Sequence, residues 1–156
     1  MFDELRDLYQ EVILDHGKNP RNFRRPDDFT KEALGNNPMC GDALVVYLKL
    51  DDDRKIADVA FQGQGCAISM ASASMMTEIL IGRSVNEAET MFEVFHKLCT
   101  GEEPDGDALA AIDEETAERL QMLSGVREFP MRVKCATLAW HTLDAAVKGE
   151  DEISTE

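Results

Sequence analysis

The chain has 156 residues, of which 44% are apolar and 30% charged, and 31 acidic against 16 basic side chains give a net charge of −15. That length supports one domain with a substantial core, expected over residues 1–148 with a charged tail at 149–156. The acidity argues against a nucleic-acid binder, which needs a basic face. No apolar run approaches the roughly 20 residues of a membrane helix, so no membrane partner is expected. The first residues, MFDELRDLYQEV, are acidic and amphipathic, unlike a secretion signal or an Arg-rich transit peptide. A cytoplasmic setting follows, in which cysteines serve metal binding or catalysis rather than disulfides.

Phe2, Leu5, Leu8, Tyr9, Val12 and Ile13 recur at three- and four-residue intervals, which predicts an amphipathic helix ending near His16-Gly17, before Pro20. The loop HGKNPRNFRRP follows, with Lys18, Arg21, Arg24 and Arg25. It reads either as a solvated connection or as a docking surface for an acidic partner, with His16 beside it. A short strand is expected between Phe29 and Leu34, then turn material at Asn36-Asn37-Pro38. Ala43–Leu50 and Lys55–Gln62 read as two strands of a hairpin around Asp51-Asp52-Asp53. Small residues at 67 and 71–74 would let the next helix pack close to a sheet, with Met70, Met75 and Met76 as core filler. Ser84 is an expected N-cap with Glu87 as its capping-box partner, and the helix after it carries Met91, Phe92, Phe95, Leu98 and Cys99 on one apolar face. His96 falls on its polar side. Gly101–Gly106 reads as a loop, Leu109–Leu123 as a weaker helix, Val133–Val147 as a stronger one, and GEDEISTE as a frayed tail. From Gly101 onward fourteen acidic residues meet five basic ones, a net of −9 that holds most of the charge.

Chemistry concentrates at Phe61–Met76, FQGQGCAISMASASMM. An apolar run reaches Gly63 and Gly65, and Cys66 stands where the next helix begins. A helix start offers unpaired N–H groups and partial positive charge, which favour thiolate; the alternative is an ordinary buried cysteine at a tight turn. Cys40 enters a strand and Cys135 lies near the start of the last helix. In an extended segment residues two apart project to one side, so Cys40 and Asp42 can face one point. Three thiolates and a carboxylate make a donor set that Zn²⁺ accepts in tetrahedral geometry. Single ligands, rather than CxxC pairs, match no closed zinc finger and suggest an open, exchangeable site. The surplus negative charge calls for cations, and Arg132 and Lys134 flank Cys135; they read equally as solvated charges before a helix. Cys99, His16, His96 and His141 read as structural residues.

Cys40-Gly41-Asp42, GQGCAISMASASMM at 63–76, RVKCATLAWHTL at 132–143 and LYQEVILDHGKNPRN near the start resemble the IscU/NifU-like iron–sulfur cluster assembly proteins, and most nearly their SufU type. The resemblance runs to about Val147. It implies a SufE/NifU-like α+β fold: a small antiparallel three-stranded sheet with helices packed on one face. It also implies that Cys40, Asp42, Cys66 and Cys135 bind metal and handle sulfur, with Arg132 the arginine characteristic of SufU-like members. No Leu-Pro-Pro-Val-Lys motif precedes the third cysteine, Lys134 stands where IscU-like proteins have histidine, and extra length falls at Gly101–Ser124. These departures favour a zinc-dependent sulfur carrier, a sulfurtransferase in effect, over a chaperone-assisted scaffold. Such a carrier accepts persulfide sulfur through Cys40 from a PLP-dependent, SufS-like cysteine desulfurase and passes it to downstream cluster-assembly proteins. The alternatives are a scaffold bearing a transient [2Fe–2S] cluster and a purely structural zinc domain.

Overall fold

A computed structural model describes residues 2–154, with side chains from Tyr9 onward. The elements are, in order, α1 (Phe2–Lys18), β1 (Lys31–Asn37), β2 (Asp42–Leu50), β3 (Ile56–Gln64), α2 (Ala67–Leu80), α3 (Val85–Thr100), α4 (Gly106–Ala110), α5 (Glu114–Gln121), a 3₁₀ turn (Ser124–Glu128), α6 (Pro130–Val147) and β4 (Glu152–Ser154). The apolar positions Phe2, Leu5 and Leu8 of the first helix have side chains outside the described residues.

The α+β class holds, but the sheet is not three-stranded and antiparallel. It has four strands in the order β3-β2-β1-β4, and β4 runs parallel to β1. The expected frayed tail thus supplies an edge strand at Glu152–Ser154. Its only apolar residue, Ile153, packs against the core, and the Leu34 N–H of β1 donates to the Asp151 carbonyl at 2.9 Å. An unpaired strand edge is costly, and a short charged strand covers it without inviting further pairing.

Alternation along the strands sets which face is buried. Leu44, Val46 and Leu48 of β2 and Ala33 of β1 are buried, and their cross-strand partners include Gly35, Phe61 and Val59. Partners directly opposite point to the same face. The helix α6 crosses this face over β1 and β2. A Cβ on Gly35 would lie 1.9 Å from Thr142 Oγ1, so glycine there permits the close approach of helix to strand. The small residues of α2 bring α1 and α6 close to it, and β3 to a lesser extent. The Ser72 hydroxyl donates to the Ala136 carbonyl across the α2–α6 contact. Phe95 stacks on Trp140 at 5.0 Å between ring centroids, tying α3 to α6.

Three boundaries differ from the sequence reading. Leu109–Leu123 splits into α4 and α5 because the Asp113 side chain caps a fresh helix start, accepting from Thr116 N–H at 3.2 Å. The last helix begins at Pro130, three residues early, since proline suits the first helical turn. Asn36 and Asn37 belong to β1 rather than to a turn. The α3 capping box is present as expected.

Candidate metal centre

At one end of the sheet the β1–β2 connection is four residues long, Pro38-Met39-Cys40-Gly41. Cys40 N–H donates to the Asn37 carbonyl at 3.2 Å and Gly41 N–H to the Pro38 carbonyl at 3.3 Å. Pro38 pre-sets the first bend and Gly41, at φ +71°, takes the left-handed conformation that closes it. Cys40 is therefore on a turn, not in an extended segment. The turn, rather than strand alternation, brings Cys40 and Asp42 to one point.

Asn37 and Asp42 are directly opposite in the register and both are buried. They share the helix-covered face at its open end. There α6 presents Cys135, fully buried and in the helix's second turn. Cys40 Sγ, an Asp42 carboxylate oxygen and Cys135 Sγ all lie within 4.8 Å of one another. Cys66 is the N-cap of α2, in extended conformation with no side-chain cap bond, so its sulfur is not used to satisfy the helix end. Its N–H donates to Asp42 Oδ1 at 2.8 Å, but its sulfur is not part of the group in which Cys40, Asp42 and Cys135 converge. Gly65 makes this approach possible, since a Cβ there would stand 2.6 Å from Asp42 Oδ1.

The electrostatics follow the packing. Burial pushes the Cys135 thiol well up from its ordinary value, and hydrogen bonds involving Cys40, Asp42 and Cys66 add to the shift. Thiols this close disfavour each other's ionisation, which a cation between them reverses. Arg132 precedes Cys135 by three residues, hence on the same helical face. A hydrogen bond to Cys135 and the charges of Cys66, Cys135 and Cys40 hold its guanidinium above its ordinary range. Lys134 is one residue from Cys135 and exposed; neighbours in a helix do not share a face, so the two flanking cations are not equivalent. Met39 precedes Cys40 in the turn, Phe129 and Met131 stand at the start of α6, and the three are 63%, 60% and 56% exposed.

The donor set fits a borderline-soft divalent ion. Cys40, Asp42 and Cys135 converge, no cysteine forms a disulfide, and Cys66, tied to Asp42 through its N–H, is the expected fourth donor of a tetrahedral ion. Sequence alone marks Asn37 only as turn material. Its amide donates to Asp42 Oδ2 at 3.0 Å and to Cys135 Sγ at 3.5 Å. Hairpin register puts it there, and no local composition signals it.

Residues 8–119 match the family model described as NifU-like N terminal domain. The chain belongs to that family. This NifU-like domain is 41% identical over 145 residues to the iron–sulfur cluster assembly scaffold protein IscU of Streptococcus pyogenes serotype M1, covering 93% of this chain and 86% of the relative. It is 44% identical over 144 residues to the zinc-dependent sulfurtransferase SufU of Bacillus subtilis, covering 92% of each. Among solved structures, FiSufU of the SUF system from Fervidobacterium islandicum AW-1 superposes with a TM-score of 0.76 at 36% identity, over 88% of this chain and 94% of that one.

The other sequence candidates sort differently. His16 is buried, with Nδ1 2.7 Å from Ser74 Oγ and Nε2 3.6 Å from Glu78, so it braces α1 against α2 and is not a docking residue. Arg21 pairs with Asp15 at 2.6 Å, Arg24 takes both oxygens of Asp58 at 3.0 and 2.7 Å, and Arg25 lies over the Phe29 ring. Main-chain bonds between Asn22, Arg24 and Phe61 lay this loop along β3, covering its outer edge. Cys99 is in the core, as read. His141 meets His96 and Phe92 edge-on at 5.7 and 4.9 Å, away from the sulfurs. No helix among the described residues is long and apolar enough to cross a membrane.

Proposed function

We propose that this domain is an iron–sulfur cluster assembly protein acting as a zinc-dependent sulfur carrier in the cytoplasm. It takes persulfide sulfur from a PLP-dependent, SufS-like cysteine desulfurase through Cys40 and passes it to downstream cluster-assembly proteins. One observation carries this reading: a half-exposed cysteine on a turn converges with a buried carboxylate and a buried cysteine. The name of the Bacillus subtilis relative points the same way. Cys40, Asp42, Cys66 and Cys135 would hold Zn²⁺, whose chemistry is to keep thiols deprotonated near neutral pH.

The chain's own residues divide the remaining work. Asp42 is gripped on both oxygens, and Cys135 is fixed in a helix, so neither moves readily. Cys40 sits on a turn tied by two main-chain bonds, the part of the site that shifts most easily. Its thiolate attacks the outer sulfur of the partner's persulfide. A new S–S bond forms on Cys40, the partner's S–S bond breaks, and the partner's cysteine leaves as thiolate with the electron pair. The Arg132 guanidinium offsets the negative charge gathered there. Met39, Phe129 and Met131 are the surface that docking would desolvate. The test is transfer of labelled sulfur from a persulfidated desulfurase. Cys40→Ala is expected to accept none, and acceptance at the wild-type rate contradicts the assignment.

A second reading is favoured by the 41% identity to a scaffold IscU: the same thiolates ligate a [2Fe–2S] cluster that is then handed on. Aerobic metal analysis separates the two. A colourless protein with stoichiometric zinc supports the carrier, and a brown protein with iron and sulfide supports the scaffold.

A further inference from the structure

Asn37 is fully buried at the end of β1, and its side chain donates into the site. One amide nitrogen carries two hydrogens, and here they go to two acceptors on different elements: Asp42 Oδ2 on β2 at 3.0 Å and Cys135 Sγ on α6 at 3.5 Å. The orientation of the amide is dictated by these partners, because the opposite flip would set its carbonyl oxygen against a carboxylate. The main chain of the same residue holds the third donor. Its carbonyl accepts from Cys40 N–H at 3.2 Å and so anchors the turn.

We infer that Asn37 is a positioning residue that locks Asp42 and Cys135 in place with its side chain. The inference rests on the zinc-carrier reading above. An N–H directed at a sulfur draws electron density from it, which makes that sulfur a poorer nucleophile; one directed at a carboxylate fixes its orientation. Both effects fall on the two donors meant to stay. The main-chain bond from Cys40 N–H to the Asn37 carbonyl sets where the turn begins. One side chain on β1 thus ties β2 and α6 together at the site.

The experiment compares wild type, Asn37→Leu and Asn37→Asp. Leu keeps the volume and removes both donors, whereas Asp keeps the shape and puts an acceptor in their place. Zinc affinity is read by competition with a chromophoric chelator and is expected to fall about 10–100-fold in both variants. The cobalt-substituted protein gives a readout that a merely structural role would not move. Its sulfur-to-metal charge-transfer band should shift to longer wavelength when Cys135 loses its donor. Alkylation of the zinc-loaded protein, mapped by mass spectrometry, should spread from Cys40 to Cys135. Zinc affinity within twofold of wild type, with an unmoved band and labelling confined to Cys40, overturns the inference. If Asn37→Leu fails to fold, the near-isosteric Asn37→Asp decides by the same criteria. A wild-type protein that takes up no zinc contradicts the carrier reading and this inference with it; wild type and variants binding zinc equally contradict the inference alone.

Discussion

Cys99 and Cys135 are equally buried, with no exposed surface on either, and both lie on helices that pack on the core. Around Cys99, at the end of α3, the neighbours are apolar. Burial alone pushes its thiol up to about 12. Around Cys135 the same desolvation acts beside Cys40, Asp42, Cys66, Asn37 and Arg132. Burial therefore does not tell the core cysteine Cys99 from Cys135 of the candidate metal centre. The difference lies in which partners the fold aims at the sulfur, and those partners come from positions 37, 40, 42, 66 and 132.

The contrast breaks most sharply under substitution. Cys135→Ala should lose stoichiometric metal altogether, whereas Cys99→Ala should retain it and lose only about 1–2 kcal/mol of stability. Metal analysis and chemical denaturation read the two effects, and metal loss in Cys99→Ala would erase the distinction. Next in size is Gly65→Ala. The added Cβ would meet Asp42 Oδ1 at 2.6 Å, so the variant should lose about 1–3 kcal/mol and bind zinc more weakly. A neutral result would mean that the α2 entry is not held against Asp42.

A smaller effect sharpens the comparison from the core side. Burial, with the charge of Arg21 adding to it, holds the His16 imidazole below its ordinary 6.5, so the unfolded chain takes the proton first. The stability this group contributes is fully present above about pH 6.5 and declines as pH falls toward the folded value. Melting temperatures of the metal-free protein should drop over that window and drop less in His16→Gln. Some slope should remain, because burial and His96 depress His141 in the same way. The smallest effect belongs to Arg24→Ala. Its pair with Asp58 is exposed, so the expected change is at most about 1 kcal/mol with metal content untouched.

The site was legible in the order of its residues and not in its geometry. Cys40 and Cys66 stand at element boundaries beside glycine, and Cys135 follows Arg132 near the start of a helix; that setting is visible in the linear chain. What joins them is hairpin register, which places Asn37 opposite Asp42. A register depends on where a turn closes, and Asn36-Asn37-Pro38 reads as turn material whether or not the strand runs on into it. Pro130 carries a helix-start signal in the sequence, and a helix from there puts Arg132 on the face of Cys135. In the fold, periodicity exposed the β2–β3 hairpin and α3. It concealed β4, because a strand of three residues with one apolar side chain has no pattern to detect. The burial of His16 was equally hidden, since it depends on α1 meeting Ser74 and Glu78 of α2.

The sharing of one ion by Cys40, Asp42, Cys66 and Cys135 is tested most directly by X-ray absorption at the zinc edge of the loaded protein, with Cys66→Ala in parallel. The account predicts a first shell of three sulfurs at about 2.3 Å and one oxygen at about 2.0–2.2 Å, with one sulfur lost in the variant. A wild-type shell of two sulfurs or fewer, or one unchanged by removing Cys66, would contradict it.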